Sequence, residues 1–186
     1  MDTVIGRIGG KVIMTFLFVP SNFMFGILLP DKTALSVANA IKALKARLRN
    51  SKTPFKHLFV VILTDNGGEF SCVDIIEQDE CGNQETLLYF CDPHISSQKP
   101  HVEKNHTLFR DIVVPGSSFD EFNQDTVNLI YSHVNSVKRK DFAGKSAYDV
   151  FAFMYGEEAA SLLGIDRIPS EEVIQSPKLL EIIDKK

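Results

Sequence analysis

A mixed α/β fold is the class this chain predicts, and three observations carry it. The first thirty residues are rich in strand-formers, the run Leu58–Leu63 (LFVVIL) is apolar throughout, and most of the remainder has helical period. Met1–Gly6 (MDTVIG) is the first expected strand. Val12–Val19 and Phe23–Leu29 follow as β-rich runs divided by the turn tripeptide Pro20-Ser21-Asn22. That interruption makes a stretch long enough to reach across much of a bilayer read instead as a buried hairpin. Pro30-Asp31 starts a helix, with Asp31 as the predicted N-cap. One face of that helix carries Ala34, Val37, Ala38, Ile41, Leu44 and Leu48, and Lys42, Lys45 and Arg49 lie beside it. Leu58–Leu63 reads as a central strand covered on both faces. A short helical piece at Cys72–Gln78, a polar loop and a strand at Thr86–Phe90 come next. Helices are expected over Gln98–Ile112, with Pro100 in the first turn, and over Asp125–Val137, Ser146–Tyr155 and Glu157–Leu163. The tail, with Pro169 and Pro177, is irregular. The expected architecture is a mixed five-stranded sheet flanked by helices, with residues 1–155 as the core and 156–186 as a helical tail packing on it or extending from it.

The 186 residues suit one globular unit. A hydrophobic fraction of 44% with 24% charged residues excludes intrinsic disorder, and a net charge of -4 excludes a simple basic glove for nucleic acid. Three cysteines without a C-x-x-C pair argue against a disulfide scaffold or a four-thiolate zinc ribbon. Asp2 and Arg7 stand where a signal peptide needs its apolar run, so a cytoplasmic location is expected, with no membrane partner.

Charge is segregated. Lys32 to His57 holds seven Lys and Arg and no acid, whereas His57 to Gln98 holds eight acids and no Lys or Arg. Most of these residues belong to solvated faces, but the pattern also suits a cationic surface flanking an anionic pocket that binds divalent metal. Three carboxylates stand out. Asp2 lies in a strand-like opening, where an unpaired charge is costly to bury. Asp65 follows LFVVIL at the carboxyl end of the strand, where open α/β sheets place ligands. Glu103 falls in the first turn of an expected helix. If they converge, their repulsion (roughly 4 kcal/mol for a pair at about 4 Å and an effective dielectric near 20) calls for cations. All-oxygen donors favour Mg²⁺ or Mn²⁺ over zinc. Each acid taken alone is explained as well by a surface group, an Asx turn at Asn66-Gly67 or a helix-end charge.

MDTVIG, LPDKTALSV, TDNGGEF and CDPHISSQKPHVEKNHTLFR, in this order, resemble the catalytic core of bacterial transposases of the insertion sequence thirty family, and the tail IPSEEVIQSPKLL resembles the end of such proteins. These transposases belong to the retroviral-integrase-like group with a ribonuclease H-like fold. The resemblance implies that Asp2, Asp65 and Glu103 form a D-D-E triad holding two Mg²⁺ or Mn²⁺ ions for DNA cleavage and strand transfer at transposon ends. Sixty-two residues separate the first two acids and thirty-seven the last two, a slightly long second gap that the loop near Gly82-Asn83 can absorb. Asn66 is expected to orient a neighbouring carboxylate, and Lys99, Lys104 and Arg110 to meet DNA phosphates. The implied partners are transposon-end and target DNA and a second copy of the chain. Relatives carry an upstream helix-turn-helix region and a Trp-Glu pair before the position of Met1, so the chain reads as a catalytic core without that DNA-binding domain. Around Glu103 the family pattern is rich in Gly and Asn. Here Ser97, Pro100, His101, Val102 and Lys104 stand instead, which puts DNA contacts in doubt more than metal binding.

Other readings of the same residues are weaker. His101 and His106 are five apart, about 140° out of register for a shared zinc. Cys91 with His94 and His101 lacks a second ligand pair. Tyr131 and Tyr148 lack the Arg/His cluster a recombinase nucleophile needs. The alternatives kept are a catalytically silent DNA-binding or dimerising remnant of a mobile element, and a ribonuclease H-like nuclease unrelated to transposition.

Overall fold

The computed structural model describes residues 1–91 and 107–183. Strands β1 (Asp2–Ile5), β2 (Val12–Phe18) and β3 (Phe23–Leu29) form an antiparallel meander. In it Asp2 lies opposite Thr15, and Thr15 opposite Gly26. The run Val12–Leu29 is thus the expected hairpin, and Asn22 takes the left-handed conformation (φ 52°) that closes its turn. Helix α1 (Ala34–Leu48) is followed by the short α2 (Phe55–Leu58), β4 (Val61–Thr64), α3 (Val73–Glu77) and β5 (Leu87–Phe90). β4 and β5 pair in parallel. Residues 107–112 are helical, and then come α4 (Gln124–Ser136), α5 (Ala147–Tyr155), α6 (Glu157–Leu162) and α7 (Lys178–Ile183).

The class is mixed α/β, as expected, but the strands form one three-stranded antiparallel and one two-stranded parallel ladder in place of the expected five-stranded sheet. A hydrogen bond from the Met1 nitrogen to the Leu63 carbonyl (2.7 Å) joins the start of β1 to β4. Two local expectations are corrected. Leu58 ends a helical turn that begins after Pro54, so the strand starts at Val61. Its burial also alternates: Ile62 and Thr64 are buried, whereas Val61 is 55% and Leu63 36% exposed. The strand is therefore covered on one face among the described residues. At α1, Thr33 is the N-cap, its Oγ1 accepting from the Ser36 N–H (3.2 Å). Asp31 sits further out and accepts from the Thr33 and Ser36 hydroxyls, each at 2.6 Å.

Alternation along the strands divides the core in two. Phe16, Phe18, Phe23 and Phe25 pack with Phe59 and Phe151, with ring centroids 4.0–6.3 Å apart in the contacts that link them. Val37, Ala38, Ile41, Leu44 and Leu48 of α1 are buried, the expected face less Ala34. On the other side α4 closes the outer edge of β3 with side-chain amides. Asn135 accepts from the Met24 N–H (2.8 Å) and donates to the Met24 carbonyl (2.6 Å), while Gln124 does the same for Leu28 N–H and the Gly26 carbonyl (2.9 Å each). An edge strand needs such cover to avoid pairing with another chain.

The tail is held by α4 as well. Ser132 Oγ, Ser136 Oγ and His133 Nδ1 accept the N–H groups of Asp166, Ile168 and Ile174 at 3.0–3.1 Å, and Leu163, Ile165 and Leu179 are buried. Burial depresses the His133 pKa below its ordinary 6.5, and the acceptor role of Nδ1 requires the same uncharged form. Its contribution to stability is therefore complete above about pH 6.5 and is lost as pH falls below that value, where the unfolded chain takes up a proton that the folded one resists. Urea titrations from neutral to mildly acidic pH are expected to show this loss, and His133→Gln is expected to flatten it.

Candidate active site

Asp2 opens β1 half-buried, with Oδ1 accepting the Thr3 N–H at 2.8 Å, so Oδ2 remains for another partner. Asp65 directly follows β4 and is exposed. Their backbones lie one residue and two residues from the Met1–Leu63 bond, so the two α-carbons are no more than about 15 Å apart. Among the described residues neither carboxylate has a Lys or Arg partner. Glu103, Lys99 and Lys104 lie outside the described residues. Arg110 is exposed on the helical stretch 107–112. Among the described residues, groups of three or more His, Cys, Asp or Glu arranged to hold a metal ion are absent. Asp2 and Asp65 offer two hard oxygen donors, which suit Mg²⁺ or Mn²⁺, and completing such a site takes a further acid from elsewhere.

Asn66 Nδ2 reaches the Cys91 carbonyl (3.4 Å), and the Cys91 N–H donates to the Thr64 carbonyl (2.7 Å). The loop after Asp65 is thereby tied to the end of β5. Among the described residues Asn66 Nδ2 has this backbone partner. Tyr131 is fully buried, which removes it as a nucleophile toward DNA.

The charge runs meet each other. Lys45 pairs with Glu85 (3.1 Å) and donates to the Ile75 and Gln78 carbonyls, and Arg49 pairs with Glu80 (2.9 Å). These pairs line a groove between α1 and the 79–85 loop, at the amino ends of β4 and β5 and therefore remote from Asp65. The expected cationic surface flanking an anionic pocket is, for these residues, two walls that neutralise one another. Lys138-Arg139-Lys140 is also split, because Arg139 is buried and its neighbours are exposed.

Glu69 is the residue the sequence reading missed. It is 5% exposed in the 3₁₀ turn Gly68–Phe70, accepts from Thr3 Oγ1 (2.7 Å) and pairs with Lys32 (3.1 Å). It thus links the segment after Asp65 to the residue after Asp2. A Cβ at Gly67 would collide with its carboxylate, which explains that glycine better than a turn does, since Gly67 has φ -64°. The available signal was its place between a glycine pair and the core aromatic Phe70. Burial opposes its ionisation, but the Thr3 hydroxyl, its own N–H and Lys32 outweigh burial and hold the carboxyl below its ordinary 4.5. Glu69 therefore adds stability above about pH 4.5 that is lost as pH falls through the lowered value. Glu69→Gln is expected to cost about 1–2 kcal/mol at neutral pH and to weaken the acid dependence, measured by urea midpoints.

No family model matches the chain. It is 27% identical over 151 residues to a protein of Spiroplasma virus SpV1-R8A2 B named "Putative integrase ORF3". That alignment covers 81% of this chain and 44% of the viral protein, so the chain spans less than half the length of this relative. No helix among the described residues is long and apolar enough to cross a membrane.

Proposed function

We propose that this chain is the catalytic core of a DDE-type transposase or integrase, acting on transposon-end and target DNA. The likeness to the viral integrase supports a transposase/integrase-type relationship and does not reach the insertion sequence thirty family itself. The observation that carries the reading is the Met1–Leu63 bond, because it joins the start of the strand bearing Asp2 to the strand that directly precedes Asp65. A ribonuclease H-like sheet would run β3-β2-β1-β4-β5, and this single bond between β1 and β4 is in keeping with that order, although the strands form two separate ladders.

In this reading Asp2, Asp65 and Glu103 hold two Mg²⁺ or Mn²⁺ ions. Such ions, when bound, activate an attacking oxygen and stabilise the leaving oxygen of a phosphodiester displacement. Thr3 N–H fixes one oxygen of Asp2, Glu69 and Asn66 hold the two sides of the Asp65 loop, and Arg110 offers an exposed cation to a DNA phosphate. No protein nucleophile is required, in keeping with the burial of Tyr131.

The test is Mn²⁺-dependent nicking and joining of a terminal-repeat duplex. Wild-type protein is expected to join strands and Glu103→Gln to fail. Equal activity in both removes Glu103 from the site. Cleavage of RNA–DNA hybrids without joining identifies a nuclease. Inactivity of the wild type, also with an upstream DNA-binding region joined to it, identifies a silent remnant.

A further inference from the structure

Tyr131 has a side chain whose chemistry exceeds its packing role. It is 0% exposed, and its hydroxyl has no hydrogen-bond partner among the described residues. A buried hydroxyl left in that state costs about 1–3 kcal/mol, which phenylalanine in the same space would avoid. Its ring lies over Gly26, where an added Cβ would come within 2.5 Å of Cε2. Gly26 is the third member of the row Asp2, Thr15, Gly26 across β1, β2 and β3. Residues directly opposite one another in antiparallel ladders project to the same face. The Asp2 side chain, the buried Thr15 and the Tyr131 ring therefore share one side of the sheet. Thr15 already contacts the first strand, its Oγ1 donating to the Asp2 carbonyl at 3.3 Å. Burial first, and then the charge of Asp2, raise the Tyr131 phenol above its ordinary 10, so it remains a proton donor. The ring also stacks on Phe109 (5.4 Å, 21°), a few residues after Glu103 in the chain.

We propose that Tyr131 is a positioning residue for Asp2, acting from beneath the sheet through the Asp2–Thr15–Gly26 row and holding that row against the helical stretch around Phe109. The proposal rests on the reading of Asp2 as an ion ligand. In it the hydroxyl supplies a hydrogen bond to the row when Asp2 turns its free oxygen to an ion, with Thr15 Oγ1 as the relay.

The experiment compares the full chain with Tyr131→Phe and Thr15→Val, using Mn²⁺ alone as the probe of melting temperature and a terminal-repeat duplex for joining kinetics. Tyr131→Phe is expected to keep or raise the metal-free melting temperature, because it removes an unsatisfied hydroxyl. The Mn²⁺ concentration giving half the melting shift is expected to rise five- to tenfold, and kcat to fall with KM for DNA unchanged. Thr15→Val is expected to shift the Mn²⁺ midpoint in the same direction. A Tyr131→Phe protein that matches wild type in its Mn²⁺ response overturns the proposal and leaves the assignment of Asp2 standing. One that loses metal-free stability in step with its Mn²⁺ response identifies a packing role and also overturns it. A wild-type protein indifferent to Mn²⁺ overturns the assignment of Asp2 and this proposal together.

Discussion

Asp65→Asn is expected to lower Mn²⁺-dependent strand joining by about a thousandfold while leaving the fold intact. The loss corresponds to about 4 kcal/mol of transition-state stabilisation, the scale on which single charge-stabilising groups act. The fold is spared because Asp65 is exposed, follows β4 rather than belonging to it, and has no Lys or Arg partner among the described residues. Substitutions at such positions usually stay within about 0.5 kcal/mol. The melting temperature without metal should therefore match wild type, and the rise expected for wild type in millimolar Mn²⁺, through binding to the folded state, should largely disappear. Thermal melts with and without Mn²⁺, run beside the joining assay, separate the two effects. An undiminished Mn²⁺ response in Asp65→Asn would remove this carboxylate from the site.

Asn135→Ala is expected to produce the largest loss of stability, about 3–4 kcal/mol, because it strands two buried backbone groups at once. Asn135 is 0% exposed, and its amide makes both bonds to Met24 as well as one to the Tyr131 carbonyl (2.8 Å). Asn135 supplies the side-chain bonds to both groups, so the Met24 N–H and carbonyl lose these partners when the amide goes. In a chain of this size the loss corresponds to a fall of roughly 10 °C in melting temperature. Exposure of the edge should also promote self-association. Calorimetry with light scattering checks both, and a melting temperature within about 2 °C of wild type would contradict the assignment.

These residues show where the sequence could be read and where it could not. The apolar face of α1 was legible because helical period encodes a surface that one neighbour covers, and Val37, Ala38, Ile41, Leu44 and Leu48 are buried as that period requires. The hairpin was legible from its two β-rich runs and the turn between them. Leu58–Leu63 misled because an apolar run does not say which residues pair. Pro54 starts a helical turn that takes Phe55–Leu58, and the strand that follows leaves Val61 and Leu63 exposed. Asn135, Gln124, His133 and Glu69 were invisible for a common reason. Each is a polar side chain with a partner at least 41 residues away in the chain: a strand edge, a tail N–H or a hydroxyl. Neither period nor composition marks such a pairing. Of the candidate site, the strand-end positions of Asp2 and Asp65 were legible. That the start of β1 and the end of β4 are joined was not, since the link is a contact between Met1 and Leu63 across 62 positions.

A crystal structure of the full chain grown with Mn²⁺, with the ions located by anomalous scattering, tests the shared site most directly. The account expects manganese bound by oxygens of both Asp2 and Asp65, at roughly the 2.0–2.6 Å spanned by Mg²⁺ and Ca²⁺ bonds to oxygen. Manganese found only elsewhere, with these two carboxylates sharing no ion, would contradict it.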